Sequence, residues 1–262
     1  MTTDEFYIGW EAKAAPEIGR TVRRVVLAAL LAAALAAVLF AAAQRMIGNS
    51  VFEWGIHKTF SGILRAQPYA HLLVPRPGLL EGKPAFSTYY LVAPWKFGLN
   101  PEAIQPLDGK PVTLKGTLIY RGTQTMIETK PEWIQASDKP PGLTAAPEPI
   151  SAGQQTFVGE IVDSKCFLGV MNPGQLAPHR ACAVRCISGG IPPVLLVRQR
   201  DGPPLYFLLV SSDGRPVNKQ VLNMVAEPVQ ITGQLDRQGD LLILRADPST
   251  YRISETDSAR PR

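Results

Sequence analysis

The chain has 262 residues, room for two domains of about 100 residues, each with its own core. Its net charge of +5 comes from 27 basic and 22 acidic residues. They are spread thinly: four basic and four acidic in residues 1–24, eleven and eight in 45–150, twelve and ten in 151–262. No segment is a basic block, which argues against a nucleic-acid partner, because such proteins gather Lys and Arg on one face.

Residues 1–24 read as a cytoplasmic stub. Phe6, Tyr7 and Trp10 put three aromatics into five residues. They fit an interfacial anchor beside a membrane or a docking peptide for an integral-membrane partner. Residues 25–43 follow without a charged or polar side chain. At ~1.5 Å per residue such a helix nearly spans a ~30 Å bilayer core. Arg20, Arg23 and Arg24 precede it and only Arg45 closely follows. The positive-inside rule therefore puts the N-terminus in the cytoplasm. Ala41-Ala42-Ala43 also fits a signal-peptide cleavage site, but the run is long and starts late, which favours an uncleaved single-pass anchor. Either way the rest of the chain is exported. The alanine-rich span points to a bacterial inner membrane with a periplasmic ectodomain.

Two β units follow, at residues 45–137 and 153–254. Thr59-Phe60-Ser61-Gly62-Ile63-Leu64 aligns with Thr156-Phe157-Val158-Gly159-Glu160-Ile161 at an offset of 97. Tyr89-Tyr90-Leu91-Val92 aligns with Tyr206-Phe207-Leu208-Leu209 at an offset of 117. Pro111 to Gly116 and Pro228 to Gly233 keep that second offset. A sustained offset argues for duplication of one unit. Period-two apolar runs split by Arg121-Gly122 and Gln238-Gly239 predict hairpins. Short helices are expected at 101–107 and 217–226. Glycines inside the first and fourth strands of each unit mark sharp bends. This pattern resembles the OB-fold, a five-stranded barrel. The expected fold is mainly β: one transmembrane helix, then two tandem OB-like barrels. Residues 138–152 read as a Pro-rich, semi-stiff linker, and 255–262 as a disordered tail.

The second unit is about twenty residues longer, and all three cysteines lie in the extra stretch. Residues 178–187 predict a short helix ending at Gly189-Gly190. On it His179, Cys182 and Cys186 share one face, and Cys166 lies just past the first strand. Three readings stay open. A disulfide from Cys166 to Cys182 or Cys186 would staple the insertion, with roughly 3 kcal/mol from loop closure. Alternatively, Cys166, His179, Cys182 and Cys186 form a metal site suited to zinc or copper. A redox dithiol is the third, with an unusual C-x3-C spacing.

No catalytic constellation accompanies them. There is no HExxH, G-x-S-x-G or phosphate-binding glycine loop. His57 and His71 read as strand histidines. Glu160 and Asp163 lie on opposite faces of a strand and offer no acid–base pair.

The second unit also resembles small exported bacterial OB-like domains, through Asp163-Ser164-Lys165-Cys166, Cys182, Cys186 and Gly189-Gly190. That resemblance implies an exported barrel and carries no established activity. The expected role is binding rather than catalysis: an accessory or assembly protein for a membrane complex, for instance a respiratory one. Alternatives are a copper- or zinc-binding or redox protein using the Cys3His cluster, and an exported saccharide-binding module.

Overall fold

A computed structural model of the chain describes residues 15–45, 50–80, 83–138, 148–200 and 202–254. Phe6, Tyr7 and Trp10, the tail 255–262 and most of the expected linker lie outside them. The chain divides into two compact units, Met1–Gly48 and Asn49–Arg262.

The first unit is helix α1 (Pro16–Arg45). It starts nine residues before the expected span. Its 28-residue stretch Pro16–Ala43 is long and apolar enough to cross a membrane, and none of its apolar window is buried within the protein. Such a helix fits a single-pass anchor.

The second unit holds both barrels. Its strands are β1 (Ser50–Phe52), β2 (Lys58–Arg65), β3 (His71–Leu80), β4 (Lys83–Val92), β5 (Pro111–Arg121), β6 (Gln124–Glu128) and β7 (Ile134–Ala136), with the short helix α2 (Pro101–Ile104) between β4 and β5. Then come β8 (Ile150–Asp163), helix α3 (Arg180–Ser188), β9 (Pro193–Val197), β10 (Leu205–Val210), β11 (Pro228–Gln238), β12 (Leu241–Arg245) and β13 (Arg252–Ile253). β8 begins inside the stretch expected to be linker.

In the first barrel the strands run β5-β2-β3-β4-β6, and β6 pairs back to β5 to close it. The second runs β11-β8-β9-β10-β12, closed by β12 against β11. In each, the third and fifth barrel strands are parallel (β4 with β6, β10 with β12). Two closed five-stranded barrels with identical strand order are what the repeat predicts. Gly62 and Gly159 occupy matching positions, where a Cβ would meet the carbonyl oxygens of Leu73 and Leu196 at 2.3 and 2.6 Å. That close approach is why a glycine recurs there.

Two details correct the sequence reading. Residues 217–226 form no α-helix. Val217, Val221 and Val225 are all fully buried, and this spacing of four imitates a helix. The backbone instead makes successive single turns, Gln220 N to Val217 O and Met224 N to Val221 O, each at 3.0 Å, with one short 3-10 turn at Leu222–Met224. The repeat also slips by one in the third barrel strand. β3–β4 pairs Leu72 with Tyr89, and β9–β10 pairs Leu195 with Phe207. Tyr89 stands edge-on to Phe60 at 6.4 Å, and Phe207 stacks on Phe157 at 4.3 Å. Phe207, not Tyr206, is therefore the counterpart of Tyr89.

The slip follows from burial on both faces. Leu91 packs inside the first barrel and Phe207 and Leu209 inside the second. Tyr90, Val92, Leu208 and Val210 point the other way, into a third core shared by the barrels. A strand apolar at every position gives no alternation to fix its register. Corresponding faces of the two copies thus meet. Thr88 N donates to Asp240 Oδ1 at 2.9 Å across this contact. Tyr69 hydroxyl donates to Leu209 O at 3.3 Å and accepts from Val217 N at 3.0 Å.

Candidate metal centre

The expansion lies between β8 and β9, folded against the barrel contact. Its first piece is a single π-helical turn over Cys166–Val170, a form frequent at functional sites. A 3-10 turn at Ala177–His179 then leads into α3. α3 ends where Ile191 N bonds Cys186 O and Gly190 N bonds Ile187 O, at 3.1 and 3.0 Å. Gly190 has φ +99, the left-handed residue this terminator requires.

Asp163 organises the pocket from the end of β8. It is fully buried. Its Oδ1 accepts from Cys166 N at 2.7 Å and its Oδ2 from His179 Nε2 at 2.9 Å. Donation of Nε2–H to this carboxylate leaves Nδ1 as the ring atom able to ligate a metal. That is the carboxylate–histidine arrangement commonly found behind metal ligands.

The three sulfurs converge. Cys166 Sγ lies 4.0 Å from Cys182 Sγ and 3.9 Å from Cys186 Sγ. Cys166, His179 and Cys182 offer ligand atoms within 4.8 Å of one another, as do Asp163, Cys166 and Cys186. Tetrahedral thiolates bound at ~2.3 Å stand about 3.8 Å apart, so the Cys166–Cys182 and Cys166–Cys186 spacings each suit a shared soft ion. A disulfide needs sulfurs ~2.05 Å apart, so either pairing requires a side chain to swing by about 2 Å. Cys166 and Cys186 are buried, whereas Cys182 is partly exposed and gives the cluster its way out.

The first barrel completes the pocket. Lys96, in the loop after β4, donates its ammonium to Cys182 Sγ at 2.7 Å and lies 3.9 Å from Cys186 Sγ. The contact with Cys182 raises the Lys96 pKa. Cys186 is pulled below the usual thiol range by the Cys166 thiol that donates to it, with Lys96 assisting. Cys166 is pushed up, first by that same contact and then by burial. Negative charge is thus favoured on Cys186.

Lys165 anchors the loop that carries Lys96. It is 2% exposed, and its ammonium donates to Ala93 O at 2.8 Å and Trp95 O at 2.7 Å while pairing with Glu128 at 2.6 Å. Gly98 N donates to Gly189 O at 2.9 Å. The loop is fastened to both ends of the cysteine segment.

Cys166 is therefore the shared member of two triads, one with His179 and Cys182 and one with Asp163 and Cys186. His57 and His71 are not part of either. His57 shares a hydrogen bond with Thr117 (3.1 Å) and meets Trp133 edge-on, while His71 is buried with Nδ1 at 2.8 Å from Tyr69 O. Sequence reasoning missed Lys96, Lys165, Glu128 and the Asp163–His179 pair. Only Asp163 and Lys165, beside Cys166 in the chain, left a local signal.

No protein-family model matches the chain, and no curated protein matches it. Among solved structures the chain is similar to a deletion mutant of the single-stranded DNA binding protein from Thermus aquaticus. The identity is 13% and the TM-score 0.24, over 81% of this chain and 98% of that one. The barrel assignment rests on strand order and closure, not on this likeness.

Proposed function

We propose that this chain is a single-pass bacterial inner-membrane protein, N-terminus in the cytoplasm and both barrels in the periplasm, that acts by binding rather than catalysis. It binds one soft metal ion, copper or zinc, through Cys166, Cys182, Cys186 and His179. Its setting is that of an accessory or assembly factor for a membrane complex, a respiratory one among the candidates. The observation that carries the metal reading is Cys166 Sγ at 4.0 and 3.9 Å from the sulfurs of Cys182 and Cys186, with a carboxylate-oriented His179 grouped with Cys166 and Cys182. Thiolate and imidazole donors together select soft and borderline ions. Lys96 adds a positive charge that offsets the thiolates. The anchor reading draws on α1 and the arginines before its apolar stretch.

The test is purification of the full chain in mild detergent without chelator, followed by metal analysis, free-thiol counting and identification of co-purifying proteins. The expected result is about one copper or zinc per chain, with three reduced thiols. Cys182→Ser should abolish metal content while leaving the barrels folded. One disulfide, one free thiol and no metal would replace the metal site by a structural staple. Recovery of the chain alone, without a stoichiometric membrane partner, would count against the accessory role.

A further inference from the structure

The first barrel carries an aromatic face that the metal reading does not use. Trp54 is 74% exposed and Trp95 82%, with Ile56 at 53% and Phe97 at 46% beside them in sequence. Trp54 and Trp95 line one pocket of about 330 Å³ together with His57, Lys130 and Trp133. Trp95 is not a loose loop residue. It holds a left-handed φ of +64, uncommon for a bulky side chain. Carbonyls on both sides of that peptide segment, Ala93 O and Trp95 O, are gripped by Lys165. Two water-facing indoles beside one pocket, one of them on a backbone held by Lys165, need an apolar phase to cover them.

We infer that this face rests in the headgroup layer of the bilayer, so that the barrels lie on the membrane surface. The inference relies on the reading of α1 as a membrane anchor. Trp54 follows Arg45 by nine residues, and an extended chain of that length spans at most about 30 Å. The bilayer is thus the one apolar phase the chain keeps within reach of these residues whatever else binds. Tryptophan is also the side chain most at home there, apolar in body with one polar N–H. The charges agree. Lys115 and Lys130 flank Trp133 at 5.4 and 4.9 Å from its ring centre. Nearby Glu53 and Glu128 are each ion-paired, to Lys58 and Lys165, and exposed Glu132 offsets one of the lysines. With Lys130 lining the pocket beside the two exposed indoles, the patch keeps a small positive charge that suits anionic headgroups.

The experiment uses the full chain with Trp10→Phe and Trp133→Phe, reconstituted in phosphatidylcholine–phosphatidylglycerol nanodiscs with and without brominated acyl chains. Emission from Trp54 and Trp95 should be quenched at least twofold by the brominated lipid. Unquenched emission at the wavelength of water-exposed indole overturns the proposal. Oxidative footprinting of the unsubstituted chain gives a second reading. Trp54 and Trp95 should be protected in nanodiscs, and oxidation at the rate that their 74% and 82% exposure gives relative to a free tryptophan amide sinks the idea. Protection that appears only when a membrane protein co-purifies assigns the face to that protein and also overturns it. Failure of the chain to enter nanodiscs at all strikes the anchor reading, a separate outcome from insertion with exposed tryptophans.

Discussion

Lys96 and Cys182 are 86 residues apart in sequence and 2.7 Å apart in space, the ammonium of one barrel donating to a sulfur of the other. The candidate metal centre is therefore built by both barrels together. Lys96→Met keeps the apolar stem and removes the charge. Loss of such a supporting contact commonly weakens metal affinity ten- to a hundredfold. That drop is expected for copper(I) or zinc in competition with a coloured chelator, with the circular dichroism of the barrels unchanged. Unaltered affinity would show that the ammonium does not serve the site.

A second cross-barrel pair, Lys165 with Glu128, is expected to matter for stability. Lys165 is almost wholly buried, and its side chain meets Glu128 and two carbonyls. Removing one member of a buried pair strands the other and costs about 3–5 kcal/mol. Lys165→Met should lower stability by that order in urea unfolding. The double variant with Glu128→Gln should recover part of it, because the abandoned carboxylate is gone. Simple additivity in this cycle would mean the two do not interact.

The barrels were legible because their information is local and repeated. Alternation, glycine turns and a sustained offset each sit within a few residues. The same offset failed at Tyr89, for a physical reason. Tyr90, Val92, Leu208 and Val210 are buried between the barrels, so both faces of those strands are apolar and the period-two signal vanishes. Residues 217–226 misled in the opposite way, their valines recurring every four residues along a path of separate turns. The cysteines and His179 were visible as a cluster because an insertion gathers them. Lys96 was not, because a lysine in a surface-like loop carries no mark of the sulfur it meets.

Stability should depend on pH through His71. Burial lowers its pKa from 6.5 to about 4, opposed by its contact with Tyr69 O. The unfolded chain therefore binds a proton in this window that the folded chain does not. The stability tied to the neutral histidine is complete above about pH 6.5 and is lost as pH falls towards 4. A shift of that size corresponds to about 3 kcal/mol. Urea midpoints of the 49–262 unit between pH 7.5 and 4 should fall accordingly, and His71→Gln should flatten the slope. An equal slope in the variant would assign the effect to other groups.

Gly98 is the place where the Lys96 loop touches the end of α3. A Cβ there would meet Gly190 O at 2.3 Å and Gly190 C at 2.6 Å, both backbone atoms. No flexible side chain can yield, so Gly98→Ala must push the loop away from α3. Overpacking of this kind costs about 1–3 kcal/mol. It also strains the Gly98 N–Gly189 O bond and withdraws Lys96 from Cys182. The expected result is faster hydrogen exchange at Gly98 and weaker metal binding, with both barrels still folded. If the loop acts on the metal through Lys96, adding Lys96→Met to Gly98→Ala should weaken binding little further. Full additivity of the two losses would instead mean that Gly98 supports the cluster by another route, through α3 itself.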